Sequence, residues 1–141
     1  MRKAILISLG AAFLLACASR AQVQTASENA AATTVDAASG RQTYTENCAS
    51  CHGDNLKGAG PAASALKTPP ADLTTLAKRH GGKFPYEYVA GVVRFGKPIS
   101  AHGSPDMPVW GPIFSMVDFH EVAIRQRIRN LCEFLASAQE K

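Results

Sequence analysis

No stretch of useful length in this chain alternates between apolar and polar residues with the two-residue period of a half-buried strand. A β-sheet framework is therefore excluded and an all-α domain is expected. Charge is sparse as well: 18% of the 141 residues are charged, 15 of them Lys or Arg and 11 Asp or Glu. The basic residues are not clustered with aromatics, and Arg125, Arg127 and Arg129 stand among Glu121 and Glu133, so no nucleic-acid partner is expected. A long apolar run is also missing. The uncharged stretch over residues 4–16 is 13 residues long, too short to span a bilayer comfortably.

That short run sits where an export signal belongs. Arg2 and Lys3 precede it and small residues follow it, the n-region, h-region and cleavage zone of a leader over residues 1–21. Leu14-Leu15-Ala16-Cys17 resembles a lipobox, which would make Cys17 a lipidated first residue. Ordinary cleavage after Ala18 or Ala21 meets the small-residue requirement equally. Residues 22–35 are rich in Ala, Thr, Ser, Gln and Asn and read as a flexible linker, since such a segment buries too little surface to offset its ordering entropy. The folded domain is expected over residues 36–141, in the periplasm, touching a membrane only through a lipid on Cys17.

Within that domain the helix signals are local. Asp36 is placed to cap a helix over residues 37–47, with Ser39 and Gln42 offering an overlapping capping box. Gly53, Asn55, Gly58, Gly60 and Pro61 then break the chain. Asp72 is placed to cap a short helix over residues 73–79. Pro85 suits the first turn of the next, which runs to about Arg94, ends at Gly96 and turns Val89, Val92 and Val93 to the core. The segment 97–114 holds Pro98, Pro105, Pro108 and Pro112 and is expected to be extended loop. A last helix over residues 118–138 carries Ile124, Ile128, Leu131 and Leu135 on one stripe. Met116, at its start, is expected in the core.

The chemistry concentrates in Cys48-Ala49-Ser50-Cys51-His52, the c-type haem attachment pattern. On a helical turn the two sulfurs sit close enough to form thioethers with the two vinyl groups of one haem, and the following imidazole is delivered to the iron. A thioredoxin-like dithiol needs a βαβ context that this chain lacks, and a zinc site needs a second Cys/His pair at suitable spacing, also missing. For the other axial position the candidates are Met107, Met116, His80, His102 and His120. Met107 is favoured: it precedes Pro108 in a loop before the last helix, where the chain must fold back across the open haem face. His102 is the best alternative. His80 and His120 read as exposed or hydrogen-bonded histidines, and Cys132 as a buried thiol behaving like a small hydrophobe.

With those residues in view, the chain resembles the class I, mono-haem c-type cytochromes of the bacterial periplasm. The resemblance covers about residues 36–139 and rests on the Cys48–His52 motif, Gly60-Pro61, the Met107-Pro108 loop and the terminal helices. It implies the small cytochrome c fold, with crossed N- and C-terminal helices and loops wrapped around one covalent haem c. It implies a crossing through Gly40 and Tyr44 against Leu131 and Phe134, and a bond from the His52 ring to the Pro61 carbonyl. Where the family has a shorter segment this chain has residues 62–66, which puts Leu66 in doubt as a pocket wall. Trp110 either donates its indole N–H to a haem propionate or simply packs in the core; the residues do not separate the two.

A haem iron held by His52 and Met107 has no open position and exchanges one electron, so the expectation is an electron carrier and not an enzyme, a monomer or the haem subunit of a redox complex. A Met ligand and an apolar pocket of Val89, Val92, Trp110, Ile113 and Leu131 would both raise its potential. The alternative is a haem-based ligand-binding or peroxidatic protein with an open or labile sixth position. Between residues 54 and 117 seven basic residues (Lys57, Lys67, Lys78, Arg79, Lys83, Arg94, Lys97) face four acidic ones, which fits a mildly basic docking face for an acidic redox partner.

Overall fold

A computed structural model describes residues 35–96 and 107–141. The leader, nearly all of the linker, Cys17, Pro98, His102 and Pro105 lie outside the described residues. Among those described there are only helices and loops, as the missing strand period requires.

Asp36 starts the first helix, α1 (Ala37–Asn47), by accepting from the backbone N–H groups of Ala38 at 2.9 Å and Ser39 at 3.2 Å. Gln42 does not complete a capping box; its amide bonds to Glu46 at 2.9 Å, because Asp36 already satisfies the first-turn donors. After the single residue Cys48, the turn α2 (Ala49–His52) follows. A 3-10 turn (Ala63–Ala65) and α3 (Leu76–Arg79) punctuate the long loop beyond it. Helix α3 begins three residues later than its sequence signals imply. The Asp72 carboxylate accepts from both the N–H and the hydroxyl of Thr74, at 2.8 and 2.6 Å, which holds that stretch in a turn.

Helix α4 (Tyr86–Phe95) starts after Pro85, buries Val89 and Val93 and stops at Gly96, whose φ of +81° is the glycine-type helix stop. Helix α5 (Trp110–Ser115) stands where extended loop is expected from the prolines. Pro112 occupies its third position, where a backbone N–H has no acceptor inside the helix, so the missing donor costs nothing. The last helix, α6 (Glu121–Ser137), buries Ile124, Ile128, Leu131 and Leu135 on its stripe, together with Cys132 and Phe134. Met116 is not core: it is 77% exposed in the turn that leaves α5.

Helices α1 and α6 make the main packing contact. A Cβ on Gly40 would lie 2.5 Å from the Asn130 carbonyl carbon and 3.0 Å from the Leu131 nitrogen, so the two backbones touch directly. Beside that point Tyr44 and Phe134 pack with ring centroids 5.4 Å apart, and the Arg41 guanidinium lies 4.7 Å over the Phe134 ring. The buried Asn130 amide oxygen accepts from the Asp36 N–H at 3.0 Å and from Gln126 at 2.8 Å, tying the start of α1 to α6. The end of the chain is tied down too: Gln139 bonds to the Leu73 carbonyl and to the Ala77 N–H, both at 2.8 Å.

Candidate functional site

The helical path runs almost unbroken from α1 into the motif. Cys48 N–H bonds to the Tyr44 carbonyl at 2.8 Å, and Cys51 and His52 N–H bond back to Cys48 at 3.1 and 2.9 Å. Cys48 and Cys51 are thereby one turn apart on the same face, which the i, i+3 spacing dictates. Gly53 ends the turn with φ +77°, and its buried carbonyl accepts the Tyr44 hydroxyl at 2.5 Å. The free carbonyls at the end of the turn are then covered by the next loop. Gly58 N–H bonds to His52, Gly60 N–H to Cys51 and Ala62 N–H to Ser50, at 2.8, 3.0 and 2.8 Å. Gly60 is required by this approach, since a Cβ there would lie 2.6 Å from the Ala49 oxygen.

Both thiols are free and half-buried. Burial, then the neighbouring Cys51, pushes the Cys48 thiol up to about 12. A redox dithiol works through a low-pKa thiolate, so this environment argues against the oxidoreductase reading. Among the described residues no group of three or more His, Cys, Asp or Glu is gathered that could hold a metal ion.

The His52 ring places Nδ1 2.9 Å from the Ala71 carbonyl. A carbonyl only accepts, so Nδ1 carries the proton and Nε2 keeps its lone pair for a metal. Burial lowers the pKa of His52, with the Ala71 bond opposing it, and so favours the neutral, ligating imidazole. The expected partner, Pro61, is a correction: it is exposed and receives no bond from the ring. The reason is the loop's closure. Leu73 N–H bonds to the Leu56 carbonyl at 2.8 Å, which carries Ala71, not Pro61, to the imidazole.

These residues open onto a cleft of about 370 Å³. Cys48, Cys51 and His52 lie on its wall, and so do Met107, Pro108 and Trp110, which puts five of the six expected site residues on one cavity. Pro61 is not on it. Val89, Val92 and Leu131 add apolar wall, whereas Ile113 does not reach the cleft and is 37% exposed. Leu66 does line it, so the longer segment here keeps that wall in place. Trp110 is half-buried and stacks on Phe114 with centroids 5.7 Å apart. His80 is exposed and bonds through Nδ1 to the Leu76 carbonyl at 2.9 Å, as expected, but it also lines the cleft with Arg79 and Tyr88. Nothing in the spacing of those three marks them, because α3 and α4 bring them together only in the fold.

A close-packed protein would close an apolar void of this size. The cleft instead has two free thiols and an oriented imidazole on its wall. That donor set fits a flat apolar group joined through two sulfurs and one nitrogen ligand, which is what haem c requires.

Comparison with known proteins agrees with this chemistry. Residues 35–124, well over half of the chain, match the family model for cytochrome c oxidase, cbb3-type, subunit III. No curated protein and no solved structure matches the chain.

Proposed function

This chain belongs to the family of cytochrome c oxidase, cbb3-type, subunit III, and from that membership we propose that it is a mono-haem, one-electron carrier whose iron is held by His52 and Met107. The domain is a c-type cytochrome domain: it carries covalent haem c with its iron and serves electron transfer, not catalysis. The haem supplies a reversible one-electron change at iron. The chain's own residues do the rest. Cys48 and Cys51 bind the ring covalently, and Ala71 holds the His52 proton so that Nε2 stays a donor. Val89, Val92, Leu131 and Trp110 keep water from the ring faces, which disfavours the extra charge of the ferric state. Met107, a soft thioether on the same cleft, would favour ferrous iron.

The observation that carries this reading is the shared cleft of His52 and Met107. The second reading, a labile or open sixth position, draws on the 37% exposure of Met107 at the cleft edge. Absorption spectra of the exported protein separate them. A sulfur-to-iron charge-transfer band in the ferric form, lost in Met107→Ala, and a reduced form indifferent to carbon monoxide are expected. A wild-type carbon monoxide shift at neutral pH would overturn the closed site in favour of ligand binding.

The carrier acts in the periplasm, delivered by the leader over residues 1–21. Among the described residues no helix is long and apolar enough to cross a membrane; the membrane contact proposed is a lipid on Cys17. Lipidation predicts that Cys17→Ser moves the protein from washed membranes to the soluble fraction; cleavage after Ala18 or Ala21 predicts no change. The chain works alone or as a subunit of a redox complex, docking an acidic partner. Of the seven basic residues that would form that face, Lys57 is paired with Glu140 and Arg94 with Glu121, and Lys97 lies outside the described residues. Lys67, Lys78 and Lys83 are exposed and carry no salt bridge among the described residues, and together with Arg79 they would contact the partner.

A further inference from the structure

At one end of the domain the chain leaves apolar side chains in water. Met116, Val117, Phe119 and Val122, in the passage from α5 into α6, and Phe95 at the end of α4 each keep more than half of their surface exposed, Phe119 87% of it. The three helices meet there. A Cβ on Gly111 of α5 would lie 3.2 Å from the Arg94 carbonyl carbon of α4, and the Arg94 guanidinium is paired with Glu121, the first residue of α6. The backbone of the turn is fixed, since the Val117 and Asp118 N–H groups both bond to the Phe114 carbonyl, at 3.0 and 2.7 Å. Its one acid is committed. Asp118, between Val117 and Phe119, accepts from Arg127 Nε at 2.7 Å and Nη2 at 3.2 Å.

An exposed apolar group of this size marks a contact surface, and its chemistry says with what. Glu121 is shared by Arg94 and Arg125, and Asp118 is paired with Arg127, so three arginines outnumber two acids at this end. The end is positive and complements a surface of negative headgroups. A side chain seated in a groove loses most of its exposure. Phe119 stands clear, so a protein partner would need a pocket shaped to receive it, whereas a bilayer closes around it. Area points the same way: roughly 600 Å² of apolar surface falls below the about 800 Å² that each partner of a stable protein pair buries. We propose that the turn from α5 into α6, led by Met116 and Phe119, its two most exposed side chains, binds the surface of an anionic phospholipid bilayer by sinking them below the headgroups. This contact needs neither a lipid on Cys17 nor the haem ligands proposed above. A lipid would fix only the start of the chain; this contact fixes the orientation of the domain.

The test uses the full, haem-loaded chain carrying C17S, so that no lipid contributes, and the same chain with M116S, F119S, F119L or M116S/F119S. Each is spun with sucrose-loaded vesicles of phosphatidylcholine and phosphatidylglycerol, and the pelleted protein is measured at about 0.15 M and about 1 M salt. The parent chain is expected to pellet with the vesicles and to keep part of that binding at the higher salt, where headgroup attraction is screened but apolar burial is not. F119S is expected to lower the partition coefficient about tenfold and M116S/F119S further, while F119L restores it. Melting temperatures should match the parent's, because the replaced side chains are exposed. The proposal is overturned if the parent does not pellet, if F119S and M116S/F119S pellet as the parent does, or if all binding vanishes at the higher salt. Sedimentation velocity without vesicles tests the other occupant: self-association of the parent that F119S abolishes would assign the patch to a second copy and overturn the bilayer. Should F119S fail to accumulate, M116S decides on the same terms.

Discussion

Replacing Gly40 by Ala tests the α1–α6 crossing with one carbon atom. The new Cβ would lie 2.5 Å from the Asn130 carbonyl carbon, and closer to its oxygen. Carbon atoms rest about 3.5–4 Å apart, so the backbones must separate by about 1 Å at that point. No rotamer change can relieve the clash, because the obstructing atoms are main chain. Parting the helices loosens the contacts of Tyr44, Leu131 and Phe134, which are 2%, 1% and 3% exposed. Over-packing of this kind costs about 1–3 kcal/mol; the better helix propensity of Ala returns at most about 1. With backbone against backbone the cost sits at the upper end of that range, and the return leaves a net loss of about 2 kcal/mol. For a domain of this size that lowers Tm by about 8–16 °C. Thermal melts of the haem-loaded protein, followed by circular dichroism, measure it. Gly91→Ala is the control: it is the same change inside α4, where nothing lies within 4 Å of the new atom. It should raise Tm slightly. Equal melting temperatures for G40A and wild type would refute the claim that the helices touch through their backbones.

Three further outcomes follow from the same contacts. Tyr44→Phe removes the 2.5 Å bond to the buried Gly53 carbonyl and should cost about 1–3 kcal/mol in denaturant melts. The bond should survive to alkaline pH in the wild type, since burial holds the phenol protonated well above its usual range. Cys48→Ser with Cys51→Ser should yield protein without haem that has lost cooperative melting, because a domain this small has little core once its cleft is empty; a sharp native-like transition would count against that. Asp118→Asn should flatten the acid limb of stability. The Arg127 hydrogen bond holds the Asp118 carboxyl below its usual 3.8, so its stabilisation is complete above about pH 4 and is lost as pH falls through the lowered value. The pair is partly exposed, so the difference at neutral pH should stay below about 1 kcal/mol and vanish in strong acid.

What the sequence made legible was what a few neighbouring residues decide. Asp36 as cap, Pro85 and Gly96 as the bounds of α4, the stripe from Ile124 to Leu135 and the Cys48–His52 turn are all fixed within one or two turns of chain. The misses need contacts from further away or a position finer than composition gives. Pro61 was displaced by Ala71 because a bond between Leu56 and Leu73 sets how the loop returns. Helix α5 was hidden by Pro112, which reads as a breaker unless its place in the first turn is known. Met116 and Ile113 are apolar, but which side of α5 faces the core depends on how α4 and α6 pack against it. Arg79, His80 and Tyr88 carry no local signature, because they are gathered only when α3 and α4 meet at the cleft.

The two faces of the site are built differently, and that difference bears on what each can tolerate. On the His52 side the turn's carbonyls accept from Gly58, Gly60 and Ala62, the imidazole is bonded to Ala71, and Tyr44 clamps Gly53. An electron carrier gains from such rigidity, since a site that keeps its geometry in both oxidation states has little to reorganise. Disturbing this face disturbs the helix crossing through Tyr44, so its variants should fail first in folding. The other proposed ligand is Met107, which lines the cleft beside Pro108 and is 37% exposed. No interlocked backbone bonds within the described residues hold that side chain. On the proposed ligation by His52 and Met107, variants there should leave the fold standing and open the iron to added ligands, so this is where the domain is most easily converted into a ligand binder.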